Sequence, residues 1–136
     1  MSFRYTVTMI MLVITLLSAA CTAPGADLSG EWLLTSLNGR QPLAGTTVTA
    51  IFEDGQVGGS AGCNSYGGPY RASGQKLTIS GMAQTLMACL EPAGVMEQES
   101  AFLQALSQAA SYSIAGERLE IWNAAGETIL TFSKAR

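Results

Sequence analysis

Beyond Leu28 the chain is cut at short intervals by glycine-containing turns: Asn38-Gly39, Asp54-Gly55, Ser73-Gly74-Gln75, Gly116 and Gly126. Asn-Gly and Asp-Gly between alternating apolar segments are strong hairpin signals. Residues 31–37 alternate imperfectly, with Trp32 expected to point inward. Residues 46–52 alternate cleanly, placing Val48, Ala50 and Phe52 on one face, and turn into residues 56–61. Residues 70–72 and Lys76–Ile79 form a second hairpin, and residues 82–89 read as extended. One stretch changes period: Val95, Glu99, Phe102, Leu103, Leu106 and Ala110 recur at three and four residues, the spacing of one helix face. Pro92 and Gly94 mark its start, and Glu97 and Glu99 stand near its N-terminus, where acidic groups complement the helix dipole. Three more strands follow, at 111–115, 118–123 and 128–133. The expected fold class is α+β, mainly antiparallel β: a curved sheet or partly closed small barrel of about eight strands, with one helix over its open side.

Composition separates this body from what precedes it. The whole chain is 48% hydrophobic, but fourteen of its first 20 residues are apolar, with Arg4 the single charge among them. The remaining 116 residues hold 51 apolar ones, ordinary for a globular domain. No later apolar run approaches the roughly 18 residues that a membrane span needs. Residues 1–20 read as a signal peptide: a short basic start, an apolar stretch, then Ser18-Ala19-Ala20. Leu17-Ser18-Ala19-Ala20-Cys21 resembles a bacterial lipobox, with Ser18 at a place where leucine is usual. Cys21 is therefore the expected lipidation site, and ordinary cleavage after Ala20 to a secreted protein is the competing reading. The expected organisation is a lipoprotein signal peptide at 1–20, a short tether at 21–28 and one domain at 29–136. Thr22 stands where, by resemblance to enterobacterial sorting, an aspartate would imply inner-membrane retention, so the outer membrane is the expectation in a two-membrane bacterium.

Two absences restrict the chemistry. The chain contains no histidine, which excludes Ser-His-Asp and Cys-His catalysis and every His-ligated metal site. Without Arg4, six Lys/Arg face ten Asp/Glu, so no basic surface suits a nucleic acid. Gly58-Gly59-Ser60-Ala61-Gly62 matches the G-x-S-x-G pattern of hydrolases, yet neither the histidine nor a following helix is present. Ser73-Gly74-Gln75-Lys76 matches S-x-x-K but falls on a hairpin turn. No metal or cofactor is expected.

Three cysteines give an odd count, and a lipidated Cys21 leaves Cys63 and Cys89 as a pair. In an oxidising compartment a disulfide is the favoured reading, with two buried thiols as the alternative. Such a bridge closes a loop of about 25 residues and contributes on the order of 3 kcal/mol in the chain-entropy model.

The most distinctive segment is Gly62-Cys63-Asn64-Ser65-Tyr66-Gly67-Gly68-Pro69-Tyr70, read as a tightly specified loop pinned at Cys63. With Trp32-Leu33-Leu34 and Asn38-Gly39 before it, and Thr85-Leu86-Met87-Ala88-Cys89 and Glu99-Ser100-Ala101-Phe102-Leu103 after it, the order of elements resembles the META domain family, to which heat-shock lipoproteins of the HslJ type belong. The resemblance implies a β-rich domain with one helix, commonly in envelope lipoproteins. It further implies links to heat shock and antibiotic tolerance, and a likeness to lipid-binding pilot proteins. It brings no catalytic residues. Gly62, Asn64, Tyr66, Thr85, Met87 and Glu99 occupy its motif positions, and their expected role is to fix loops and caps.

The functional expectation is a non-enzymatic, monomeric envelope lipoprotein in stress or antibiotic tolerance. Its expected partners are the membrane, through Cys21, and a periplasmic protein or lipid, the latter held in a groove of the sheet. The alternative is a secreted inhibitor or adhesin-like module using residues 63–70 as a wedge. An enzyme built on a pair from Asp54, Glu91, Glu97 and Glu99 is a third class, disfavoured because such carboxylates are expected on turns and a solvated helix face.

Overall fold

Glu53 and Gln56 pair across a two-residue turn in which both Asp54 (φ 48°) and Gly55 (φ 76°) are left-handed, the geometry that matches the twist of a tight hairpin. Asn38 and Gly39 repeat it. Such turns organise the computed structural model, which describes residues 25–136. The signal segment, Cys21 and the first part of the expected tether lie outside the described residues. Nine strands and one helix follow in order: β1 Gly30–Leu37, β2 Thr49–Glu53, β3 Gln56–Ser60, β4 Ser65–Ser73, β5 Lys76–Ile79, β6 Ala83–Gln84, α1 Val95–Ser107, β7 Ser111–Ala115, β8 Arg118–Trp122 and β9 Thr128–Lys134.

All pairings are antiparallel, and the strands run in the order β3-β2-β1-β9-β8-β7-β5-β4, with β4 pairing back onto β3. The sheet is thus a closed eight-stranded barrel, more closed than the sequence implied, with β6 laid along the first half of β4. The seam between β5 and β7 is the thinnest: one residue pair, Lys76 with Ser111, and two flanking backbone bonds.

Alternation decides what lies inside. Trp32, Val48, Ala50, Phe52, Val57, Leu77, Leu119, Ile121, Leu130 and Phe132 are all buried. The imperfect alternation of β1 has a structural cause: register shifts between Leu34 and Ser36, so a bulge returns Leu37 to the interior. The helix buries Val95, Glu99, Phe102, Ala105 and Leu106. Phe102 meets Tyr66 of β4 at 5.4 Å and Phe132 of β9 at 6.4 Å between ring centroids. Those two strands stand opposite one another in the closed order, so Phe102 lies near the barrel axis and the helix acts as a plug.

Four sequence expectations change. The helix stops at Ser107 rather than reaching Ala110, because Ala110 is recruited into the sheet, donating to Trp122 and accepting from Leu77. The segment read as a loop over 62–70 is a loop only to Asn64, and Ser65 onward is β4. Its glycines allow close backbone approach: a Cβ on Gly68 would come within 2.9 Å of Met82 Cα, and one on Gly58 within 2.9 Å of the Tyr66 carbonyl oxygen. Of residues 82–89 only Ala83 and Gln84 form a strand. The last residues of the expected tether are docked, not free: Leu28 is buried, its carbonyl accepts from the Trp32 indole at 2.8 Å, and Ala26 accepts from the Tyr112 hydroxyl at 2.8 Å.

Candidate functional site

The motif residues Asn64, Thr85, Met87 and Glu99 come together where β4 begins. Glu99 sits on the second turn of α1, on the face that the helix turns inward, and is 2% exposed. Its position on that face follows from the three-and-four spacing that also buries Val95 and Phe102. A buried carboxylate needs donors, and the loop before β4 supplies three. Glu99 Oε2 accepts from the backbone N–H of Cys63 (3.1 Å) and Asn64 (2.6 Å), and Oε1 from the Asn64 side-chain amide (2.6 Å). Glu99 therefore holds a distant loop, in place of the dipole role expected from its position near the helix start. Glu97 remains exposed in the first turn.

Asn64, itself 2% exposed, passes this order outward. Its Nδ2 donates to the Met87 carbonyl at 3.0 Å, and its Oδ1 accepts from the Met87 N–H at 2.6 Å and from the Thr85 hydroxyl at 2.9 Å. The side chain thus serves Met87 as a strand partner would. Thr85 Oγ1 in turn accepts from the Ser65 N–H at 3.1 Å, and the Thr85 N–H donates to the Ser65 carbonyl. One residue before Asn64 and two after Met87, the disulfide Cys63–Cys89 ties the same two segments covalently. Glu99, Asn64, the disulfide and Thr85 form one lock whose outer product is the loop over 85–90. Gly62 (φ 114°) allows the approach, with Val95 and Gln98 about where a side chain would project.

Tyr66 lies on the barrel side of the lock, buried, donating its hydroxyl to the Thr49 carbonyl at 2.8 Å. Burial pushes its phenol well above the usual tyrosine range. The folded state therefore favours the protonated phenol. The stability this confers is present in full below the unfolded value of about pH 10 and is lost as pH rises beyond it. The melting temperature is expected to stay level to about pH 9.5 and then fall. Tyr66→Phe removes most of that fall, at a loss of about 1 kcal/mol for the hydrogen bond at neutral pH. Tyr112, also raised by burial, accounts for the remainder.

The patterns set aside on sequence grounds remain structural. Ser60 of the G-x-S-x-G match is a strand residue whose hydroxyl donates to the Thr47 carbonyl, and Ser73 and Lys76 are paired strand ends flanking a turn. The four carboxylates considered for catalysis do not converge. Asp54 turns beside Tyr70, toward the other end of β4 from the loop that Glu99 holds, and among the described residues no group of three or more potential metal ligands occurs. Core side chains and Phe102 occupy the barrel interior, so a groove of the sheet for a lipid tail would have to lie on its outer surface. Open clefts lie on the outside, among them one of about 480 Å³ lined by Leu37, Arg40, Leu43, Glu97 and Ala101. Within the segment read as a wedge at 63–70, Asn64 and Tyr66 are buried, Ser65–Pro69 pairs with β3, and Tyr66 and Gly67 pair with β6 as well. The most exposed large apolar residues among those described are instead Leu86, Met87 and Leu90, on the loop that the lock holds. Leu86 and Met87 belong to a motif whose sequence does not say which way they face.

Comparison with known proteins gives a consistent answer. A protein from Burkholderia xenovorans solved by NMR is similar over 79% of this chain and 82% of its own, at 26% identity and a TM-score of 0.63. A second NMR structure is similar over 77% of this chain and 88% of its own, at 25% identity and a TM-score of 0.61. A crystal structure of a DUF4847-family protein from Bacteroides vulgatus, at 21% identity and a TM-score of 0.51, shares the fold over 65% of this chain and 60% of its own. No curated protein matches the chain. The model of the META domain matches residues 26–136, which begins where Ala26 docks against Tyr112 and ends with the last residue. The chain belongs to the META domain family.

Proposed function

We infer that this META domain is the periplasmic body of a lipid-anchored envelope protein that acts by binding, in envelope stress or antibiotic tolerance. The observation that carries the binding reading is the use made of the motif residues. Glu99, Asn64 and Thr85, the polar groups a catalytic role would call on, spend their hydrogen bonds on one another and on backbone. No buried side-chain nitrogen or oxygen among the described residues lacks a partner. A catalytic group needs a free lone pair or proton aimed at substrate, whereas a saturated network makes a rigid support. The filled interior directs binding to the outer surface, which favours a periplasmic protein over an enclosed lipid. The protein acts as a monomer facing the periplasm from the outer membrane.

The anchor supports this reading and has a direct test. Cells fed an alkyne fatty acid are expected to label the wild-type chain and leave Cys21→Ala unlabelled, with the wild type sedimenting in the outer-membrane fraction. Equal labelling of both, or of neither, overturns the anchor.

A further inference from the structure

Leu86 and Leu90 are 89% and 86% exposed, and Met87 is 56% exposed. These three side chains contribute little to the core, yet the loop bearing them is held by a disulfide, by the Asn64 side chain and through it by buried Glu99. Cys89 adds a contact from its N–H to the Met96 sulfur at 3.5 Å. Such fixing stabilises the domain, but a mere connection between β6 and α1 has no need of two leucines turned outward on it. A loop that must present apolar groups in one shape gains from the fixing, because ordering before contact lowers the entropic cost of binding.

We propose that the 86–90 loop is a docking wedge that inserts Leu86 and Leu90 into an apolar pocket of a periplasmic protein, with a lysine or arginine of that protein beside Glu91. Three features select this occupant. Between Ala83 and Gly94 the single charge is Glu91, so the loop lacks the lysines and arginines that hold a segment to an anionic lipid surface. The same charge complements a basic pocket rim. Position is the second feature, and it rests on the anchor reading above. The chain enters the barrel at Gly25, against Gly74 at one end of β4, while the loop hangs from Ser65 at the other. Nine residues of strand separate the two by roughly 26 Å, and four residues from Cys21 to Gly25 reach at most about 14 Å. The anchor therefore does not of itself bring the wedge to the bilayer. Third, three side chains cover only a fraction of the roughly 800 Å² per partner of a stable interface, so two copies meeting wedge to wedge gain too little. Insertion into a concave site uses them fully.

The test places a photo-crosslinking amino acid at exposed Ala88 of the full chain in living cells. The expected result is a crosslink to one protein, which is identified, purified and titrated. Leu86→Ser with Leu90→Ser is expected to weaken its binding at least thirtyfold, or about 2 kcal/mol. Glu91→Lys weakens it further, and Ile51→Ser, an exposed apolar change on β2, leaves it unaltered. The substituted leucines are exposed, so an unchanged melting temperature certifies the fold. Cys21→Ala is expected to bind the purified partner as the wild type does, which separates failure of the wedge from failure of the anchor. No crosslink, crosslinks only between copies of this chain, equal binding by the double variant, or leucine-dependent retention of Cys21→Ala on phosphatidylethanolamine–phosphatidylglycerol vesicles each overturns the proposal.

Discussion

Glu99→Ala is expected to destabilise the domain by about 4 kcal/mol, because it strands three buried or half-buried donors at once. The Cys63 and Asn64 N–H groups and the Asn64 side-chain amide all point at a carboxylate that alanine removes. Water entering the vacated space recovers part of the loss, which keeps the figure below the sum of three charged hydrogen bonds. Glu99→Gln is expected to lose about half as much, since one acceptor oxygen survives while its new NH₂ group faces a donor. Urea titration measures both. Hydrogen exchange adds a sharper readout: the Met87 amide, held by Asn64 Oδ1, should exchange faster in Glu99→Ala while the β8–β9 amides slow or quicken only with global stability. A loss below about 1 kcal/mol, or an unchanged Met87 amide, would show that the loop stands without Glu99.

Phe102→Ala is expected to lose about 4 kcal/mol by a different mechanism. Phe102 is fully buried and touches aromatic rings on opposite strands of the barrel. Removing its ring leaves a cavity near the axis that closed strands cannot collapse to fill. Phe102→Leu, which restores most of the volume, should recover more than half of that stability in thermal or urea melts. Equal losses for the two substitutions would argue that the edge-to-face contacts with Tyr66 and Phe132, rather than the filled volume, carry the energy. The two predictions separate the parts of one helix: Glu99 governs the loop, and Phe102 governs the barrel.

Much of this architecture was legible in the sequence because it is local. The Asn-Gly and Asp-Gly turns require left-handed residues, and the structure puts Asn38, Gly39, Asp54 and Gly55 in that region. Alternation put Val48, Ala50 and Phe52 on one face of residues 46–52, and all three are buried. Helical spacing identified Glu99 and Phe102 as sharing a face. What spacing left open was the meaning of a carboxylate on that face. Its donors lie 35 and 36 residues earlier, and nothing in the local pattern brings them within reach. The misread segment has a similar cause. Gly67 and Gly68 look like loop residues by propensity, and tertiary contact overrides propensity where β3 and Met82 press against the backbone.

By itself, then, the sequence determined most of the strands, the hairpin turns and the helix face that carries Glu99 and Phe102, since these depend on backbone preference and period. It also pointed to the family and excluded a catalytic histidine. Only the tertiary structure decided that β3 closes on β4, that Glu99 and Asn64 form a saturated lock, and that Leu86 and Leu90 face outward on it. Closure and exposure are set by contacts between segments far apart in the chain, where packing and hydrogen-bond supply outweigh any local preference.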